Sequence, residues 1–208
     1  MRSAKHLIAV LGSVWLFTAA GHAGENYGDW EPLETAIQQE PINTTLPVFR
    51  AFVNVRSDKF TFLIPDGFRL GGDPAHGRLQ VENQAANTRI TFTILGAVPA
   101  DSAVLDAGSF RQMLLKRYDG GKIIAEFQGR AADGEAGPGF DISWTGAGDL
   151  AQRTRAVYLP TVAGVLELTV TSGTKNFPAA QSSLREVMGS LRSSINGKLV
   201  VHHLDGAS

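Results

Sequence analysis

Apolar and polar residues alternate along three stretches in the first half of the chain. Residues 60–64, 78–82 and 89–94 each place an apolar side chain at every second position. A period of two is typical of a β-strand with one buried face. The sequence Pro65-Asp66-Gly67 is a turn signal directly after the first stretch. The pattern therefore predicts antiparallel strands with one face towards a core and the other towards solvent.

Two later segments have the period of a helix. In residues 102–118 apolar side chains recur every three or four positions, which predicts an amphipathic helix. We expect Asp101 or Ser102 to accept the free N–H groups at its start. The sequence Asp119-Gly120-Gly121 is expected to end it. The same spacing predicts a second helix over Phe177 to Leu191.

Between the two helices the period returns to two. Alternating segments cover residues 123–127, 140–144, 155–159 and 165–171, and the glycine-rich residues 129–139 are interpreted as a hairpin loop. The order of strands, helix, strands and helix predicts an α+β domain. Its sheet is expected to be mainly antiparallel, with about six to seven strands packed with two main helices.

The other face of the predicted strands carries polar residues. Arg89, Thr91 and Thr93 line one strand, and Thr169 and Thr171 line another. If the helices leave this face uncovered, it forms a flat polar platform. Such a platform is expected to be ordinary solvated sheet, with contact to a protein partner as the alternative.

The first 23 residues have the order of a secretory signal peptide. Arg2 and Lys5 precede the apolar run of residues 7–20, and Gly21-His22-Ala23 offers the small residues of a cleavage site. The alternative, a membrane anchor, needs about 20 apolar residues. We therefore expect residues 1–23 to be removed, and the mature protein to be periplasmic or secreted without stable membrane insertion.

Residues 24–49 are predicted to form an extended N-terminal leader, because they contain several prolines and little periodicity. A single domain is expected over residues 50–195, with a C-terminal tail over residues 196–208. Trp30 lies in the leader. It is a candidate partner contact, and the alternative is that it fixes the leader to its own domain.

Composition narrows the classes of function. Hydrophobic residues make up 43% of the 208 residues and charged residues 19%, as in a globular domain. The 19 basic and 20 acidic side chains nearly balance, which argues against a nucleic-acid partner. The chain has no cysteine, which excludes thiol chemistry, cysteine metal sites and lipid attachment at a cysteine.

Four features together resemble the PsbP-like family over residues 59–193. They are the segment Phe60 to Phe68 (FTFLIPDGF), the helix after Ile94, Tyr158 followed by the strand at 165–171, and a last helix ending in Ser190-Leu191-Arg192. The resemblance implies an α/β/α sandwich around an antiparallel sheet. The same fold occurs in photosystem accessory proteins and in a bacterial envelope group typified by DcrB.

Members of that family mostly assist or bind other macromolecules and do not catalyse, which is what the resemblance implies for this chain. The metal-binding residues of some plant members have no matching motif here.

Motifs with a defined chemistry are scarce. The sequence contains no G-x-S-x-G, no H-E-x-x-H and no phosphate-binding loop ending in Gly-Lys-Ser/Thr. Asp73 and His76, with Asp66 nearby, are candidates for a small oxygen–nitrogen metal site. The alternative is a solvated turn. His202 and His203, in the predicted tail, are also candidates for binding a metal ion, and the alternative is an ordinary terminal tail. No cofactor is predicted.

These observations leave three hypotheses. The first is a non-enzymatic envelope protein that binds, or helps to assemble, another envelope protein. The second is a periplasmic carrier or sensor of a small ligand, lipid or metal ion. The third is an enzyme that uses Asp66, Asp73 and His76.

Overall fold

The structure is a computed structural model, and it describes residues 32–40, 47–56, 58–95, 106–161, 164–195 and 198–199. The strands, in chain order, are β1 (Glu34–Glu40), β2 (Val48–Val55), β3 (Asp58–Ile64), β4 (Arg69–Asp73), β5 (Arg78–Asn83), β6 (Thr88–Leu95), β7 (Lys122–Arg130), β8 (Ala136–Thr145), β9 (Ala151–Thr161), β10 (Gly164–Gly173), β11 (Arg192–Ile195) and β12 (Lys198–Leu199). Helix α1 (Ala107–Arg117) lies between β6 and β7, and helix α2 (Phe177–Ser190) lies between β10 and β11.

The strands form two antiparallel sheets. One has seven strands in the order β4-β5-β6-β10-β9-β8-β7, and the other has five in the order β1-β2-β3-β11-β12. The predicted α+β class, with a mainly antiparallel sheet and two main helices, is confirmed. The predicted number of about six to seven strands fits the larger sheet alone. The second sheet adds strands such as β1 and β12, which are too exposed or too short to produce an apolar alternation.

The seven-stranded sheet is the central layer. One of its faces packs against α2 and the five-stranded sheet, where the ring of Phe92 lies 5.6 Å from Phe60 and 5.9 Å from Phe62. The opposite face packs against α1, whose Leu114 is fully buried. Each fully buried side chain of this size contributes roughly 1.5–3 kcal/mol to the free energy of folding. A helix on each side of the sheet is the sandwich that the family resemblance implies.

Helix α1 begins later than predicted. Its cap is the Asp106 carboxylate, which accepts hydrogen bonds from the backbone N–H of Gly108 at 3.0 Å and of Ser109 at 3.1 Å. A hydrogen bond from the Ser109 hydroxyl, followed by these two backbone bonds, lowers the pKa of Asp106. The prediction that Asp101 or Ser102 caps this helix is therefore wrong, because a carboxylate next to the first helical turn takes that role.

The predicted leader contains part of the sheet. Residues 34–40 of β1 pair in register with residues 48–54 of β2, and the N–H of Leu33 donates to the Pro74 carbonyl at 2.8 Å. The domain therefore begins before residue 50, and the boundary placed there is wrong. Backbone pairing, not an apolar face, makes β1 a strand. Residues 1–23 and Trp30 lie outside the described residues, so the signal peptide stays a prediction.

Part of the predicted C-terminal tail also belongs to a sheet. Strand β12, at Lys198–Leu199, pairs with β11 inside the span predicted as tail. The remaining tail positions, His202 and His203 among them, lie outside the described residues.

The glycine-rich residues 129–139 are mostly strand, which corrects their interpretation as a loop. Strands β7 and β8 run through them, and only residues 131–135 form the turn. Gly129 is required by close packing, because a Cβ built there would lie 2.3 Å from the buried Cγ1 of Val157. Trp144 of β8 is partly buried, with its ring 4.9 Å from Tyr118 and its Nε1 donating to the Thr154 hydroxyl at 3.0 Å.

We predict that Gly129→Ala destabilises the protein. The new methyl group must displace Val157, a stiff and fully buried side chain, which costs about 1–3 kcal/mol in the free energy of unfolding. Urea denaturation measures the change. The matched control is Gly173→Ala in β10, where a Cβ meets nothing within 4 Å, and its effect should stay below about 0.5 kcal/mol. Equal effects of the two variants would contradict the packing described.

Candidate functional site

The predicted metal residues come together only in part. Asp73 ends β4 and His76 ends the short 3₁₀ helix Pro74–His76, so that Nδ1 of His76 lies 2.7 Å from Oδ2 of Asp73. Both side chains are exposed, and Asp66 is exposed in the turn after β3. Within the described part of the chain, no three His, Asp or Glu side chains converge as a metal-binding group. The structure therefore forms the Asp73–His76 pair and does not bring Asp66 into a set with it.

The predicted threonine platform is not a uniformly solvated surface. Thr93 and Thr169 are buried, whereas Thr91, Thr171 and Arg89 are only partly covered. Arg89 donates from Nε to the Glu82 carboxylate at 2.6 Å on the neighbouring strand. The centre of this face is consequently part of the interior, and its rim carries paired charges.

A row of buried polar side chains crosses that centre. Sheet register places Thr93 of β6 opposite Glu167 of β10, and Glu167 opposite Tyr158 of β9. The guanidinium of Arg117, at the end of α1, donates to Oε1 of Glu167 at 2.5 Å, with side-chain exposures of 7% and 2%. We call these four residues the polar row. A buried ion pair of this kind is costly to break, because removing one partner leaves an uncompensated charge.

Tyr158 joins the polar row to α1. Its ring stacks on Phe110 at 4.1 Å between centroids and meets the edge of Phe140 at 6.2 Å. Its hydroxyl, the Thr93 hydroxyl and Oε2 of Glu167 are buried without a hydrogen-bond partner among the described residues. Burial, followed by the neighbouring Glu167 carboxylate, raises the pKa of Tyr158 above its usual value. The row therefore fixes α1 to the sheet through one ion pair and one ring stack.

The sequence carried one signal for the polar row. Glu167 is an acidic residue in the middle of the most apolar strand, residues 165–170. An acid at such a position requires a partner. Its partner Arg117 lies 50 residues earlier, and no local pattern connects the two.

The five-stranded sheet ends in an unusual edge strand. Strand β1 is the outermost strand of its sheet, and residues 34–39 are exposed on both faces. By register Ile37 lies opposite Ala51, and Ala51 lies opposite Phe62; both of these partners are buried on the core side. Ile37 is nevertheless 51% exposed. The boundary of the core thus runs between β2 and β1.

Phe49 and Ile64 extend this exposed apolar area. Phe49 lies two positions before Ala51 on the same face of β2 and is 38% exposed, and Ile64 is its partly buried neighbour on β3. We call Ile37, Phe49 and Ile64 the β1–β2 patch. Sequence reasoning missed it because Ile37 and Phe49 fell within the predicted leader.

The described residues contain no helix that is both long and apolar enough to cross a membrane.

Comparison with known proteins gives likenesses of structure. No protein-family model and no curated protein matches the chain. A protein of unknown function from Pseudomonas aeruginosa, PA94, is 16% identical, with 78% of this chain and 84% of that chain covered and a TM-score of 0.40. The cyanobacterial PsbP of Synechocystis sp. PCC 6803 is 12% identical, with 87% and 97% covered and a TM-score of 0.45. Both proteins are similar to this chain in backbone structure. The cyanobacterial PsbP belongs to the family that the sequence resembles.

We predict that stability falls as the pH rises above about 10, and that Tyr158 carries part of this fall. An unfolded tyrosine ionises near pH 10, whereas the raised pKa keeps folded Tyr158 protonated. Each further pH unit then favours unfolding, by at most about 1.4 kcal/mol for one group. Urea denaturation at roughly pH 9, 10 and 11 should give a shallower slope for Tyr158→Phe than for the wild type. Identical slopes would contradict this account of the polar row.

Proposed function

We propose that this chain is an exported, non-enzymatic accessory protein that binds another protein of the cell envelope through the β1–β2 patch. The observation that carries the proposal is the exposed, core-facing side of an edge strand. Ile37 occupies a position that sheet register assigns to the interior, and no described residue covers it.

A scattered apolar residue on a surface is ordinary, and the β1–β2 patch differs in its arrangement. Ile37 and Phe49 are diagonal neighbours across the β1–β2 pair, and Ile64 lies directly beside Phe49. The three side chains are therefore contiguous. Contiguous exposed apolar area next to a sheet edge is typical of a surface that binds another protein.

Three features of the sequence support export and an assisting role in which the chain binds a protein. The order of Arg2, Lys5, the apolar run and the small residues before residue 24 is that of a secretory signal. The resemblance to PsbP-like proteins implies a protein that binds other macromolecules. A balanced net charge of −1 fits a protein partner better than a nucleic acid.

A comparison of two serine variants tests this proposal. Ile37→Ser removes the most exposed side chain of the β1–β2 patch, and Leu150→Ser, in the loop before β9, is the matched control because Leu150 is 59% exposed. Both variants should keep the wild-type free energy of unfolding within about 0.5 kcal/mol. In chemically cross-linked envelope fractions, Ile37→Ser should recover the partner at least about tenfold less well than the wild type. Leu150→Ser should recover it unchanged.

The proposal fails if the wild type recovers no partner. It also fails if the two variants recover the same amount, since the β1–β2 patch would then have no part in binding.

A further inference from the structure

We infer that β1 binds an extended segment of its partner by strand addition, and that this segment carries basic residues at both ends and apolar residues between them. The inference rests on the proposed function and specifies the chemistry of the partner at the same surface. It follows from a comparison of β1 with the other sheet edges, and from the charges at its two ends.

The described strands leave four sheet edges, and three of them are protected. Strand β12 has two residues, and β4 has five, with Gly71 and Gly72 at its centre. Strand β7 is long, but it has an irregularity of register between Ile123 and Ala125, and Arg111 of α1 reaches Glu126 beside it at 3.4 Å. Short strands, bulges and covering helices are the usual means of preventing a sheet edge from pairing.

Strand β1 has none of these protections. Its seven residues pair with β2 in unbroken register, and its sequence ETAIQQE contains no proline, glycine or lysine. No described strand pairs with its outer side. In an antiparallel pair, alternate residues direct both N–H and C=O away from the neighbour, so β1 presents a regular row of backbone donors and acceptors.

The side chains of β1 specify what fits on that row. Ile37 occupies the middle of the strand on the same face as Phe49, so a residue added opposite Ile37 would extend the β1–β2 patch. The strand positions at the two ends, 34 and 40, are both glutamate. Opposite charges in directly facing positions stabilise a pair of strands, and like charges destabilise it. A complementary segment therefore has Lys or Arg at its ends and β-branched or apolar residues between them.

The same charges disfavour a second copy of the chain as the occupant. In a symmetric antiparallel pairing centred on Ile37, position 34 of each copy faces position 40 of the other. Both facing pairs are glutamate with glutamate, which repel each other. The edge therefore selects a different chain with basic ends.

Two synthetic peptides of seven residues, matching the seven positions of β1, test the inference. Both alternate valine and threonine, and one carries lysine at each end while the other carries glutamate. Nitrogen-15 labelled, full-length protein is titrated with each peptide, and amide hydrogen exchange of β1 is measured. We expect the lysine-ended peptide to slow exchange at least about tenfold at alternate residues of 34–39, and to bind at least about threefold more tightly than the glutamate-ended peptide.

A variant of β1 tests whether the preference between the two peptides depends on charge. Glu34→Gln should reduce the preference for the lysine-ended peptide, and added salt should reduce it further. Exchange in β7, the long but irregular edge, should stay unchanged and serves as the internal control.

The outcomes separate this inference from the proposed function. If Ile37→Ser loses the cross-linked partner while neither peptide protects β1, strand addition is wrong and the β1–β2 patch remains a binding surface. Equal binding of the two peptides would overturn the basic-ended partner. Protection of β1 in the protein alone, rising with its concentration in step with a dimer seen by sedimentation, would show that a second copy occupies the edge and would overturn the inference.

Discussion

Strand β10 is the element on which the rest of the structure depends. It pairs with β6 on one side and β9 on the other, and so joins the two halves of the seven-stranded sheet. Residues 164–170 are buried without interruption, because helices and strands pack on both faces. Leu166 and Leu168 face α2 and the five-stranded sheet, while Glu167 faces α1 and holds Arg117. Both outer layers therefore pack on this one strand.

A domain whose central sheet is fixed so firmly can carry an exposed edge strand on its second, five-stranded sheet. Ile37 and Phe49 are exposed on β1 and β2. They lie away from the rings of Phe60, Phe62 and Phe92, which join the two sheets, so their exposure leaves that contact intact. The core is complete without β1, since Ala51, Val53 and Val55 of β2 already close it. Strand β1 thus adds little apolar burial and is available for contact with another molecule.

Much of the fold could be predicted because burial on one face leaves a period in the sequence. The alternation at 60–64 and 89–94 became β3 and β6, and the helical spacing after residue 176 became α2. Strand β1 has no such period, because both of its faces are exposed and backbone pairing alone defines it. The β1–β2 patch could not be predicted from the sequence for the same reason. The partner of Glu167 could not be read locally either, because Arg117 reaches it from another element.

The central claim is that β1 belongs to the sheet but is covered on neither its outer edge nor its faces. Amide hydrogen exchange of the free protein tests it most directly. The account predicts that the amides of residues 35–39 alternate along the strand, with slow exchange where the N–H is bonded to β2 and fast exchange where it points outward. Uniformly slow exchange through these residues would show that the edge is already occupied and would contradict the account.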